Sequence, residues 1–250
     1  MTARLSELEL MSNNITEMRR DLAAILRWSS RLGLSEGICN HYSLAVGDDR
    51  FLVNPFSFHW SELTASQMLL VNYNGEVLEG EGAVESTAMF IHSRIHHGLA
   101  HARCVLHTHM PFATAVAALK HGRVEMASQN ALRFFNDIAY DDDYQGLAHD
   151  AAEGDRMCGQ LGDKRVLFLA NHGVIVVGGS LAAAFDDLYY LEQACRVQVL
   201  AQSTHQPLKI VDQEVCQKTS EQFKADDSYA FAHVAAIRRI LDRECPEYAQ

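Results

Sequence analysis

Residues 165–179, RVLFLANHGVIVVGG, constrain the fold of this chain more than any other stretch. Two apolar runs of strand length flank Asn171-His172-Gly173, and neither shows the polar alternation of a strand with one solvated face. The pattern predicts two buried strand segments around a tight turn. His172 then needs a partner, because an unpaired buried polar group costs about 1–3 kcal/mol.

A second stretch offers one. RCVLHTHMPFATA, Arg103–Ala115, places His107 and His109 one residue apart at the end of another apolar run. Side chains at i and i+2 of a strand share a face, so the two imidazoles can offer ring nitrogens to a common point. Taken alone, two buried and hydrogen-bonded histidines account for the spacing equally well. With His172 added, three nitrogens and an open fourth position form the pattern of a catalytic metal site, not of a closed structural one.

The rest of the chain alternates hairpins and helices. Ile15, Met18, Leu22, Ile25 and Leu26 mark the apolar face of a helix that Asn14 is placed to start, with Glu17 as its capping-box partner. HYSLAV and RFLVNP predict strand–turn–strand, and MLLVNYNGEVLEG predicts a hairpin in which Asn74-Gly75 supplies positive φ angles. A helix is expected over Thr87–His97, and Pro111 opens another after the His-x-His run. Ser180 caps a long helix through Leu200, and Thr219–Arg243 predicts a last one. FFNDIAYDDDYQG reads as a solvated loop, since its aspartates lack the glutamate of an EF-hand. His96, His97 and His101 fall at a helix end and loop and read as surface residues. With no linker or repeat, residues 1–250 read as one α/β domain with a mixed, mostly antiparallel sheet and a C-terminal helical extension from about residue 205.

Charge and composition exclude several partner classes. A formal net charge of -11 disfavours nucleic acid and anionic membrane surfaces. No apolar stretch reaches the roughly 18–20 residues that span a bilayer, and the opening MTARLSELEL lacks the basic start and apolar run of a secretory signal. The six cysteines are scattered without a C-x-x-C pair, which suits free structural thiols and a cytoplasmic location.

In chain order, NHYSLAV, LVNPFSFHWSELTASQMLLVNYNGEVLEG, VLHTHMPFATAVAAL, FLANHGVIVVGG and AFDDLYYLEQACRVQVLA resemble motifs of the class II aldolase/adducin family, over roughly residues 16–207. The resemblance implies a three-layer αβα sandwich around a mixed, mostly antiparallel sheet, assembled as a homotetramer with sites between subunits. It implies one divalent ion held by His107, His109 and His172. Zinc is the default for three imidazoles, and manganese, iron or cobalt would also fit. The implied activity is a metal-dependent carbon–carbon lyase acting on a small hydroxy-carbonyl or hydroxy-acid substrate. Aldol cleavage and decarboxylation both pass through a metal-stabilised enolate. The rival is a non-catalytic interaction protein resembling the adducin head. Adducin heads share the LRFFNDIAYDDDYQG region but lack metal-binding histidines in some positions, whereas this chain keeps all three.

Two features depart from the family pattern. Its aldolases carry a general acid/base glutamate at the start of the helix before the His-x-His strand. Aligning His92 and His107 without a gap puts Ala88 on that position and Ser86 and Thr87 on two phosphate-binding hydroxyl positions. Glu85, three residues upstream, becomes the candidate catalytic carboxylate; the alternative is an ordinary first-turn acid favoured by the helix dipole. The phosphate cradle appears as Asn40-His41-Tyr42-Ser43 and Phe56-Ser57. His41, Ser43, Ser57, Ser86 and Thr87 are therefore the candidate substrate contacts. Phe56, His41 and Trp60 would crowd a phosphate and suit a flatter, less charged substrate. His41 is a second candidate proton carrier, set against a strand histidine bonded to backbone, and Tyr140 or Tyr144 could reach a neighbouring subunit's site.

Overall fold

The structure is a computed structural model describing residues 7–250, with side chains from Asn14 onward. The two apolar runs form β7 (Val166–Leu169) and β8 (Gly173–Gly178), antiparallel and fully buried as their composition requires. Asn171, at φ +57, makes the tight reversal between them, a conformation that asparagine tolerates. β5 (Cys104–Thr108) pairs antiparallel with β8 on one side and with β1 (His41–Val46) on the other. β2 (Arg50–Val53), β3 (Leu69–Asn72) and β4 (Val77–Glu79) extend the sheet beyond β1. β6 (Ile138–Asp141) closes the other edge, parallel to β7, in an eight-stranded sheet ordered β4-β3-β2-β1-β5-β8-β7-β6. The sheet is mixed and mostly antiparallel, as expected.

Helices cover both faces. One face packs α1 (Glu7–Arg31), α3 (Pro111–Ala117), α4 (Gln129–Leu132), α6 (Leu181–Gln202) and α8 (Ser228–Glu244) against Tyr42, Leu44, Leu106 and Val176. The other packs α2 (Ser86–Gly98) and α5 (Ala151–Leu161) against Val105, Leu167, Ile175 and Val177. Side-chain alternation assigns each strand residue to one layer. His41, Ser43 and His107 all fall on the α2 side, and His41 stands directly across from His107 in the β1–β5 register.

Several boundaries differ from expectation. Asn14 lies inside α1, which continues N-terminally through it, so its capping signal is overridden. Only Gly75 of the Asn74-Gly75 pair has positive φ, at +91. The expected last helix is two, because Asp226 Oδ1 accepts from Ser228 N at 2.9 Å and ends α7 (Gln213–Lys224) before α8 begins. The presumed solvated loop contributes β6. Within it, the Tyr140 ring stacks on Phe168 at 5.4 Å and its hydroxyl accepts from Val124 N at 3.0 Å, so Tyr140 serves its own core. Among the described residues, no helix is long and apolar enough to cross a membrane.

Candidate metal centre

β5 delivers His107 as its fourth residue and His109 just beyond its end, and the β7–β8 turn delivers His172. One ligand atom from each lies within 4.8 Å of the others, and ring centroids stand 4.8–5.1 Å apart. The support around them fixes which nitrogen faces the centre. His107 Nδ1 lies 3.0 Å from the Val174 carbonyl, which can only accept. His109 Nδ1 lies 2.5 Å from Glu36 Oε2, a carboxylate acceptor. Nδ1 of both rings is therefore the donor to its partner, which leaves Nε2 as the nitrogen available to a ligand. His109 Nε2 is buried with no hydrogen-bond partner, which a cation at the common point would supply. The donor set fits a divalent ion. Burial and the adjacent His109 lower the pKa of His172 to about 4. Burial, with His172 next, holds His107 well below the ordinary histidine value. These rings stay neutral at neutral pH, the form that ligates a metal.

Glu85 caps the start of α2. Its Oε2 accepts from the Thr87 hydroxyl and from Ala88 N at 2.9 Å, and its Oε1 accepts from the Ser86 hydroxyl at 3.3 Å. The carboxylate thus lies against the backbone N–H of Ala88. Burial pushes the Glu85 carboxyl up, but the hydrogen bonds from Thr87, Ala88 N and Ser86 hold it below the ordinary value. Glu85 Oε2 stands 3.9 Å from His41 Nε2, and the His41 ring lies 4.9 Å from that of His107. Glu85, His41 and the three-histidine cluster form one continuous group.

Other expected contacts are placed differently. Ser43 is fully buried, with its hydroxyl bonded to His92 Nδ1 and His96 Nε2, so it does not face a ligand. Trp60 is buried against Tyr42 at 4.5 Å, with Nε1 donating to the Asn40 carbonyl, in the core layer on the opposite face of the sheet from His41. Ser86 and Thr87 spend their hydroxyl protons on Glu85. Ser57 is exposed at φ +73, on a loop that Phe56 N ties to the Ala83 carbonyl beside α2. Tyr144 lies 6.3 Å from His172 of its own chain. His41 bonds His92 instead of backbone. His96 is no surface residue but is buried at 8% exposure. His92 and His96 sit four residues apart beside Ile91 and Ile95. That spacing on an apolar helix face was the available signal for a buried polar pair. Glu36, in the loop after α1, had no local signal.

The class II aldolase and adducin N-terminal domain model matches residues 20–199. An aldolase II superfamily protein from Pseudomonas syringae superposes with a TM-score of 0.87 at 33% identity, covering 99% of this chain and 98% of that one. L-fuculose 1-phosphate aldolase from Glaciozyma antarctica PI12 shares the fold, with a TM-score of 0.85 at 21% identity over 100% and 97% of the two chains. Alpha-adducin from Mus musculus is 35% identical over 188 residues, 73% of this chain and 25% of its own length. The order of strands, the αβα layering and these similarities lead to one conclusion: the chain belongs to the class II aldolase and adducin N-terminal domain family.

Proposed function

We propose that this chain is a metal-dependent carbon–carbon lyase for a small hydroxy-carbonyl or hydroxy-acid substrate. His107, His109 and His172 would hold one divalent ion, zinc first by the preference of three imidazoles. The observation that carries this reading is the buried, unpartnered Nε2 of His109 inside the three-histidine cluster. When bound, the ion supplies Lewis acidity toward substrate oxygens and lowers the cost of the negative charge that develops as the carbon–carbon bond breaks. Glu85 is the proposed proton acceptor: Ser86, Thr87 and the Ala88 N–H orient its carboxylate and keep it charged near neutral pH. In aldol cleavage it takes the substrate hydroxyl proton while the O–H electrons form the new carbonyl. Decarboxylation needs no such acceptor. Ser86 and Thr87, which the family resemblance puts on phosphate-binding positions, already donate to Glu85, which favours a substrate without a phosphate there. Family membership and the free cysteines support a homotetramer in the cytoplasm.

Metal analysis of protein purified without added metal tests the reading. We expect one divalent ion per chain in the wild type and its loss in His172→Ala. Full metal content in the triple His107, His109 and His172 alanine variant would overturn the site. Multi-angle light scattering reads the assembly, and a monomer at micromolar concentration would overturn the tetramer.

A further inference from the structure

A buried chain of polar groups leads away from the candidate site. It is anchored at the Ala102 carbonyl, two residues before β5. His96 Nδ1 lies 2.7 Å from that oxygen, and a carbonyl can only accept, so Nδ1 carries the ring proton. Burial lowers the pKa of His96 to about 4, so the ring is neutral and Nε2 is bare. Ser43 Oγ, 2.7 Å from this nitrogen, must then donate to it. A hydroxyl has one proton, so in its other contact Ser43 accepts from His92 Nδ1. Burial also keeps His92 neutral, leaving its Nε2 bare, 2.7 Å from His41 Nδ1. His41 Nδ1 therefore donates, and the neutral ring has only one proton, so its Nε2 keeps the lone pair. That nitrogen is the one 3.9 Å from Glu85. Every donor points the same way, and one backbone carbonyl dictates the direction.

We propose that Ser43, His92 and His96 are positioning residues that lock His41 in the Nδ1-protonated tautomer, with Nε2 presented to the site as a hydrogen-bond acceptor. A lone exposed histidine would sample both tautomers, whereas each donor here is buried and has one acceptor in the chain. The lock has a consequence for recognition. His41 Nε2 and the Glu85 carboxylate are both acceptors, so the corner between them takes a group that brings its own O–H bond. A substrate hydroxyl fits; a phosphate or carboxylate oxygen there would meet two lone pairs and no proton. This consequence rests on the proposed lyase reading, but the tautomer assignment does not.

Long-range proton–nitrogen NMR on metal-free protein with nitrogen-15-labelled histidines separates protonated from bare ring nitrogens. We expect His41, His92 and His96 each to show a protonated Nδ1 and a bare Nε2. A protonated Nε2 on His41 in the wild type overturns the lock. In Ser43→Ala the His96 signals should hold, while His41 and His92 should spread over both tautomers. Ser43→Thr, which keeps the hydroxyl, should restore the single form. An unchanged His41 in Ser43→Ala would also overturn the proposal, and if that variant does not fold, the wild-type spectrum decides. Zinc added to the same wild-type sample tests the metal reading separately. Failure to bind would count against the lyase and leave the tautomer result standing.

Discussion

Replacing Gly173 by alanine perturbs the candidate site through contacts that can be sized from the structure. Gly173 follows His172 and begins β8, and its backbone needs no left-handed conformation. What it needs is space: a Cβ there would stand 2.5 Å from the Thr108 carbonyl oxygen and 2.8 Å from His109 Cδ2. Cβ contacts under 3.0 Å essentially never occur, and the Thr108 carbonyl belongs to an inner strand that cannot swing aside. The β7–β8 turn must therefore retreat from β5 by about 0.5 Å or more. Overpacking of this kind costs roughly 1–3 kcal/mol. For a chain of this size, about 2 kcal/mol lowers the melting temperature by roughly 4–8 °C. The same displacement carries His172 away from His107 and pushes on the His109 ring. We expect zinc affinity to fall roughly 10- to 100-fold, the range seen when the support of metal ligands is disturbed. Thermal melts of the metal-free variant isolate the packing cost, and a chelator-competition titration reads zinc affinity. A Gly173→Ala protein with wild-type melting temperature and wild-type zinc affinity would refute both the close approach and its part in the site.

Four further outcomes follow from named contacts. Glu85→Gln should lower aldol-cleavage turnover roughly 100-fold or more with metal content unchanged; wild-type turnover would reduce Glu85 to a helix cap. Glu36→Gln weakens the acceptor at His109 Nδ1 and should lower zinc affinity by about 10-fold in the same competition titration. Glu192 accepts from Phe112 N at 2.8 Å and Ala113 N at 2.9 Å, so Glu192→Ala strands two amides at the start of α3. Urea unfolding should show a loss of about 3 kcal/mol. His96 has a folded pKa of about 4 against an ordinary 6.5, so the unfolded chain binds its proton first as pH falls. Its stabilising contribution, roughly 3 kcal/mol, is complete above pH 6.5 and is lost as pH drops toward 4. His96→Gln should flatten that part of a stability–pH curve, and an unaltered slope would show that His96 titrates normally in the fold.

The sequence by itself determined the features that depend on neighbours along the chain. Short unbroken apolar runs rich in Val, Leu and Ile and bounded by turn residues read as buried strands, so β5, β7 and β8 were legible with His107, His109 and His172 at their ends. Pro111 and Ser180 open their helices, because an N-terminal proline and a side-chain cap act within one turn. Glu85 was visible as a first-turn acid for the same reason. The tertiary structure decided what depends on strands meeting across the sheet. The β1–β5 register puts His41 beside His107, although they stand 66 positions apart in the sequence. A one-residue slip would turn His41 to the opposite face, and nothing in HYSLAV reports which register holds. Whether His96 is exposed depends on what α2 packs against, and β1 supplies Ser43 there. The same holds for β6, a four-residue segment inside an aspartate-rich stretch that becomes a strand because β7 offers it a ladder of partners. Periodicity reports which faces are apolar, whereas the choice of partner across the sheet comes from packing between distant segments, where the proton-bearing groups of this site are brought together.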